Sequence, residues 1–259
     1  MADYNPYKDY SYKNAYDDGM EKDIMDGYDE PYEDSGANII DLNSILVRAF
    51  IFMVIALGVT AFVAMYVASD MNMVIRLYSG YNYIILIVVE FAMVFLTQYA
   101  VNKKNLPLAI IGFFGYSVAT GIMFSVIFVV FEIGSIANAF FITAALFLLM
   151  AVYGIITKRD MDQIGDYAIM ALLGIIVVSF LNMFVFESSG LDWIVSAVTV
   201  VIFVCLTAYD TWKLKKMSAL KGADKETKLV LGVYGAMELY LDFINIFLKI
   251  LRFVGRARD

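Results

Sequence analysis

The feature of this chain that most limits its fold is a succession of seven long, almost uncharged apolar runs. They cover residues 44–69, 83–101, 106–131, 136–157, 167–186, 193–211 and 229–254. A helix of about 20 apolar residues crosses the hydrocarbon core of a bilayer, whereas a membrane β-barrel shows short alternating segments separated by turns. The sequence therefore predicts an all-α integral membrane protein with seven transmembrane helices.

Composition excludes several classes of site. The chain has no histidine, and Cys205 is its one cysteine, so an intramolecular disulfide is excluded and a zinc site is not expected. A net charge of −7 without a basic domain argues against nucleic acid as a partner. We expect no cofactor and no enzymatic activity, and the lipid bilayer is the partner that the composition requires.

The acidic charge is concentrated at the N-terminus. Residues 1–41 contain 12 of the 26 acidic residues, seven tyrosines and three lysines, whereas the remainder contains 16 basic and 14 acidic residues. So few aliphatic side chains cannot bury enough surface to fold. We predict a disordered acidic, tyrosine-rich tail over 1–41, acting as a solvated leader or binding a partner, and a transmembrane domain over 42–259. The tail has no signal-peptide pattern, so the first helix should direct insertion.

Basic residues in the short connections predict the orientation. The second, fourth and sixth connections are rich in lysine, whereas the first, third and fifth contain only Arg76. The N-terminus should therefore be cytoplasmic and, after seven crossings, the C-terminus outside. Arg252, Arg256 and Arg258 conflict with this, so a seventh run that re-enters is the alternative. Without organelle targeting signals, we expect a bacterial plasma membrane.

One helical face of the seventh run is polar. Its residues follow one another at intervals of three or four: Tyr234, Glu238, Asp242, Asn245, Lys249 and Arg252. An ionisable group at the centre of a spanning helix costs about 3 kcal/mol and usually marks a functional site. This face should point at other helices or at water, which predicts a central seventh helix. A packing network without further function is the alternative.

The second strongest polar signal lies in the sixth run, at Asp210. If Asp210 and Asp242 meet, burial and like charge would make them share one proton, and their oxygens could also contact calcium. We take these two aspartates as the candidate pH sensor and as tentative calcium contacts. Other possible ion contacts along a pore are Glu90, Glu238, Asn245 and Lys249. Glu90, in the second run, would either join the same cavity or hydrogen-bond to a facing helix while protonated.

Several segments resemble the Bax inhibitor-1 family, also called the transmembrane Bax inhibitor motif proteins. The two strongest are TAYDTWKLKKM at 207–217 and LYLDFINIFLKILRFVG at 239–255. Further matches are AFFITAALF at 139–147, TKRDMDQIG at 157–165 and LNMF at 181–184. The resemblance implies six helices around a central seventh and a pH-sensitive calcium leak gated by an aspartate pair. Matched by motif, Asp210 in AYDT and Asp242 in LYLDF would form that pair.

The chain departs from this family pattern in two ways. Glu238 stands where a small or hydroxyl residue is expected, and could add a third carboxylate to the site. The second run has no internal arginine or lysine that could neutralise the pair. Lys103, Lys104 and Lys249 are then the candidate counter-charges.

Three other functions compete with a calcium leak channel. A proton-coupled exchanger would drive calcium uphill, and a regulator of membrane proteases or survival factors would transport nothing. An aspartyl intramembrane protease would also use two membrane aspartates, but LYLD stands at residues 239–242 in place of the GxGD that such enzymes require. The calcium leak is the function that the sequence favours.

Overall fold

The computed structural model describes residues 44–219 and 224–258, so the tail predicted over 1–41 lies outside the described residues. The described part contains eight α-helices: α1 Ile45–Ala68, α2 Met71–Tyr78, α3 Asn82–Asn102, α4 Leu106–Val130, α5 Ile133–Ile156, α6 Asp162–Leu181, α7 Ser189–Ser218 and α8 Lys225–Val254. A π-helical turn, Asn182–Phe186, extends α6. All but α2 are long and apolar enough to cross a membrane, which confirms the predicted seven spans.

Polar caps explain where several helices begin. A side-chain oxygen just before each of these helices accepts a hydrogen bond from a backbone N–H of the first turn, where helical partners are missing. The capping residues are Ser44 for α1, Asp70 for α2, Asn105 for α4, Ser188 for α7 and Asp224 for α8. Hydrogen bonds from Thr227 hold the pKa of Asp224 below its ordinary value. The caps let α7 and α8 begin before their apolar runs.

The short helix α2 was not predicted from the sequence. It lies in the first connection, with Val74 buried and Met71, Met73 and Ile75 exposed. The hydroxyl of Tyr78, its last residue, donates a hydrogen bond to the carbonyl of Met123 in α4. Burial raises the pKa of Tyr78, and the nearby charge of Glu90 acts in the same direction. This contact fixes the end of α2 against the bundle.

Helix α8 lies at the centre of the bundle, as the sequence predicted. It contacts α1, α3, α4, α5 and α7 and is the most extensively buried of the seven spans. The predicted ring of six helices around α8 differs from the structure at one helix. Helix α6 packs mainly against α7 and not against α8. A side chain at Gly165 of α6 would strike the ring of Tyr209 in α7, so these two helices are in direct contact.

The C-terminal end of α8 shows that the helix crosses the whole bundle. Its first turn lies beside the start of α1, where Arg48 donates a hydrogen bond to the carbonyl of Lys225. Residues after its last turn pair with the α4–α5 connection: Arg258 N–H donates to the Val130 carbonyl at 2.8 Å, and Glu132 N–H to the Arg256 carbonyl at 3.1 Å. A helix that runs the length of the bundle favours a seventh crossing over the re-entrant alternative.

A glycine sets the closest approach between α5 and α7. A Cβ at Gly154 would lie 2.3 Å from the carbonyl oxygen of Ala208, which is backbone and cannot move aside. Gly154→Ala should destabilise the bundle by about 1–3 kcal/mol through overpacking. Gly174→Ala is the matched control, since no atom lies within 4 Å of its Cβ position. Thermal unfolding in detergent measures both; equal midpoints would contradict this packing.

Candidate functional site

The polar stripe of α8 faces α7 at three levels. At the centre Asp242 meets Asp210. One turn earlier on α8, Glu238 meets Lys213. Near the other end, Arg252 meets Asp192 at 2.7 Å. The helical spacing seen in the sequence therefore corresponds to one interface, in which charged groups of α8 meet charged groups of α7.

Asp210 and Asp242 form the buried centre of this interface. Their accessible fractions are 8% and 3%, and their carboxyl groups are close enough to interact directly. Thr207, one turn before Asp210 on α7, lies beside Asp242, and its hydroxyl donates a hydrogen bond to the Phe203 carbonyl of its own helix at 2.8 Å. An ionised carboxylate only accepts hydrogen bonds, so a bond between two carboxyl groups requires a proton on one of them. Two buried carboxyl groups in this position could therefore be joined by one shared proton.

Small side chains allow α7 and α8 to come this close. A Cβ at Gly235 of α8 would lie 2.3 Å from a methyl carbon of Leu214 in α7. With Gly235 in place, Leu214 is fully buried against α8. The two aspartates, which both lie farther from the α7–α8 connection than this contact, are brought together as a result.

A second group of polar atoms lies one turn from the pair, toward the α7–α8 connection. The Lys213 ammonium is 3.1 Å from the Tyr234 hydroxyl and 3.5 Å from Glu238 Oε1. The Tyr234 hydroxyl donates to the same Glu238 oxygen at 2.5 Å. Lys213 also interacts electrostatically with Asp210, and Glu238 with both aspartates. The carboxylate predicted as a third acidic group is therefore adjacent to the pair and bonded to a cation.

Lys213 is a residue of this candidate site that was not predicted from the sequence. Lys103 and Lys104 are exposed in the α3–α4 connection, and Lys249 interacts with Asp192 and Arg252 at the other end of the interface. The cation that faces Asp210 is thus none of the three predicted. Its position three residues after Asp210 places it on the same face of α7, a signal hidden by the lysine-rich segment KLKKM.

Asn245 and Lys249 lie further along the stripe. The Asn245 amide donates to the Leu241 carbonyl of its own helix at 2.8 Å, and Lys249 is half-buried. Arg252 and Asp192 are both substantially exposed, so their ion pair contributes little stability in water. Asn182, in the π-helical turn, also donates to Asp192 at 2.9 Å. These contacts connect the ends of α6, α7 and α8.

Glu90 belongs to a different cluster. It lies beside Thr120 of α4 and interacts electrostatically with Tyr116 and Tyr240. Tyr240 precedes Asp242 by two residues, which places the two side chains on nearly opposite faces of α8. Of the two arrangements considered for Glu90, the structure shows contact with a facing helix rather than membership of the aspartate site.

The described residues contain no group of three or more acidic, histidine or cysteine side chains that could hold a metal ion. Calcium takes six to eight oxygen ligands. Two aspartates would therefore supply only part of a calcium coordination shell.

Comparison with known proteins covers nearly all of the described structure. Residues 42–259 match the family model described as "Inhibitor of apoptosis-promoting Bax1". An uncharacterized protein of Borreliella burgdorferi is 39% identical over 222 residues, which cover 85% of this chain and 95% of that protein. "Inner membrane protein YbhL" of Escherichia coli K12 is 37% identical over 219 residues, covering 84% and 93%.

The hydrogen bond between Tyr240 of α8 and Thr60 of α1 can be tested by mutation. Thr60 donates to the Ser117 carbonyl at 2.9 Å, so the 2.6 Å contact between Thr60 and Tyr240 has the tyrosine hydroxyl as donor. Tyr240→Phe should cost about 0.5–1.5 kcal/mol of unfolding free energy, measured by titration with denaturing detergent. In a double-mutant cycle, Thr60→Val should lower that cost. Full additivity would contradict the hydrogen bond.

Proposed function

Because this chain belongs to the Bax inhibitor-1 family, we propose that it is a pH-sensitive calcium leak channel gated by Asp210 and Asp242. The chain is a multi-pass integral membrane protein. The name of its relative YbhL, an inner membrane protein, supports a bacterial plasma membrane as its location. No enzymatic step and no cofactor are part of this proposal; the partners are the bilayer, calcium ions and protons.

The observation that carries the proposal is the contact between two buried aspartates on neighbouring helices, which a shared proton would join by a hydrogen bond. With one shared proton, the bond joins α7 to α8 in the bundle centre. Without the proton the two carboxylates repel each other; for charges separated by about 4 Å, the repulsion is about 4 kcal/mol at an effective dielectric constant of about 20. That repulsion acts at the centre of the interface and would favour separation of the two helices there. Rising pH should therefore open the interface.

Separation of α7 from α8 would also expose carboxylate oxygens to an ion that passes between the two helices. Asp242 Oδ2 is buried and has no hydrogen-bond partner among the described residues. In the separated state, this oxygen and those of Asp210 could contact a passing calcium ion. Since two aspartates fill only part of a calcium shell, the ion would keep several waters and bind weakly, as rapid passage requires.

Calcium flux into proteoliposomes across a pH series tests the proposal. Native flux should rise as pH increases through the range where the pair loses its proton. Asp210→Asn and Asp242→Asn should each abolish this pH dependence, because an amide cannot share or lose the proton. The matched control is Asp166→Asn, an exposed aspartate on α6, which should behave like the native protein.

The alternatives give different results in the same vesicles. If an imposed pH gradient drives calcium uphill with proton counterflow, the protein is a proton-coupled exchanger and not a leak channel. Absence of calcium flux at every pH, in protein that is folded and correctly reconstituted, would contradict transport. That result would favour a regulator of other membrane proteins. Cleavage of a helical reporter that Asp210→Asn abolishes would instead indicate a protease.

A further inference from the structure

Beside the aspartate pair, three residues each contact the other two, and two of them form an ion pair. Lys213 comes from α7, and Tyr234 and Glu238 come from α8. Both charged side chains are largely buried, with accessible fractions of 15% and 20%. A buried ion pair is costly to form and strongly affects nearby charges, since screening by water is weak there.

The position of this ion pair relative to the aspartates is asymmetric. Lys213 interacts with Asp210, whereas Glu238 interacts with both Asp210 and Asp242. Lys213 therefore favours ionisation of the pair, and Glu238 opposes it. Glu238 also holds the lysine through its Oε1, while its buried Oε2 has no hydrogen-bond partner among the described residues. The glutamate thus competes with Asp210 for one cation.

We propose that Glu238, by binding Lys213, is the positioning residue that determines the pH at which the aspartate pair loses its shared proton. Glu238 touches neither the proton nor, in this arrangement, a passing ion. It acts through Lys213 and through its own negative charge. This inference rests on the proposed function only for its effect on flux, since the loss of the proton can be measured directly.

The other charged and titratable groups nearby leave this assignment in place. On α7, Tyr209 lies beside Lys213, and it also interacts with Asp162 of α6. On α1, Arg48 lies against Gly232 and hydrogen-bonds to Lys225, nearer the start of α8. Glu90 of α3 acts on Tyr116, Tyr240 and Tyr78, on another face of α8.

Infrared spectroscopy of the full-length protein across a pH series tests the proposal. Isotope labelling of the aspartate carboxyl carbon separates protonated aspartic acid from glutamic acid in the C=O stretching region. The part of the band that is missing in the Asp210→Asn, Asp242→Asn double variant reports the pair. The midpoint of this signal is the pH at which half of the protein molecules have lost the shared proton.

Glu238→Gln should lower this midpoint by about one pH unit, because a repelling charge is removed and Lys213 is released toward Asp210. Adding Lys213→Gln in that background should raise the midpoint again, since the attracting charge is then also gone. Glu238→Ser, with a small side chain, is a second variant in case glutamine impairs folding. Glu90→Gln, which removes the other intramembrane glutamate, should leave the midpoint of the pair unchanged.

The outcomes separate this inference from the proposed function. An unchanged midpoint in folded Glu238→Gln and Glu238→Ser, or no return on adding Lys213→Gln, would overturn the role of Glu238. If the midpoint shifts as expected and flux is absent, the role of Glu238 stands and the calcium channel does not. If the midpoint is unchanged in the Glu238 variants while flux still depends on the aspartates, the channel stands and this inference fails.

Discussion

The structure depends on the need to cover the polar face of one transmembrane helix. Lipid offers no hydrogen-bond partners, so the charged groups of α8 can be accommodated only against other helices or water. Helix α7 supplies matching groups at each level: Lys213 for Glu238, Asp210 for Asp242 and Asp192 for Arg252. Other spans then pack around α8 and bury its apolar faces. The central position of α8 follows from this requirement.

The two polar clusters divide α8 into faces with different properties. One face carries Asp242 and Glu238 toward α7, and the opposite face carries Tyr240, which bonds Thr60 of α1 and lies near Glu90 of α3. The first cluster contains ionisable groups that compete for protons and one cation. The cluster around Tyr240 is dominated by hydroxyl groups. In the proposed mechanism, a change in charge at the first cluster would move α7 relative to α8 while α1 and α4 still hold the other face.

Particular elements show how far sequence reasoning reaches. The seven spans were predicted because uncharged runs of this length have one stable form in a bilayer. Helix α2 was missed because eight residues of mixed polarity give no transmembrane signal. The position of α6 outside the ring was missed because its apolar surface packs equally well against protein or lipid. Apolar runs indicate that a helix spans, and they do not indicate which neighbour it contacts.

The sequence by itself determined the class of the protein, the number of spans, the central helix and the candidate aspartates. These follow from length, hydrophobicity and helical periodicity, which are local properties, and from motif resemblance. Tertiary structure alone decided that Lys213 is the cation beside the pair, that Glu238 binds it, and that Glu90 lies elsewhere. Those facts depend on the rotation and separation of packed helices, set by contacts such as Gly235 against Leu214 between residues distant in the chain.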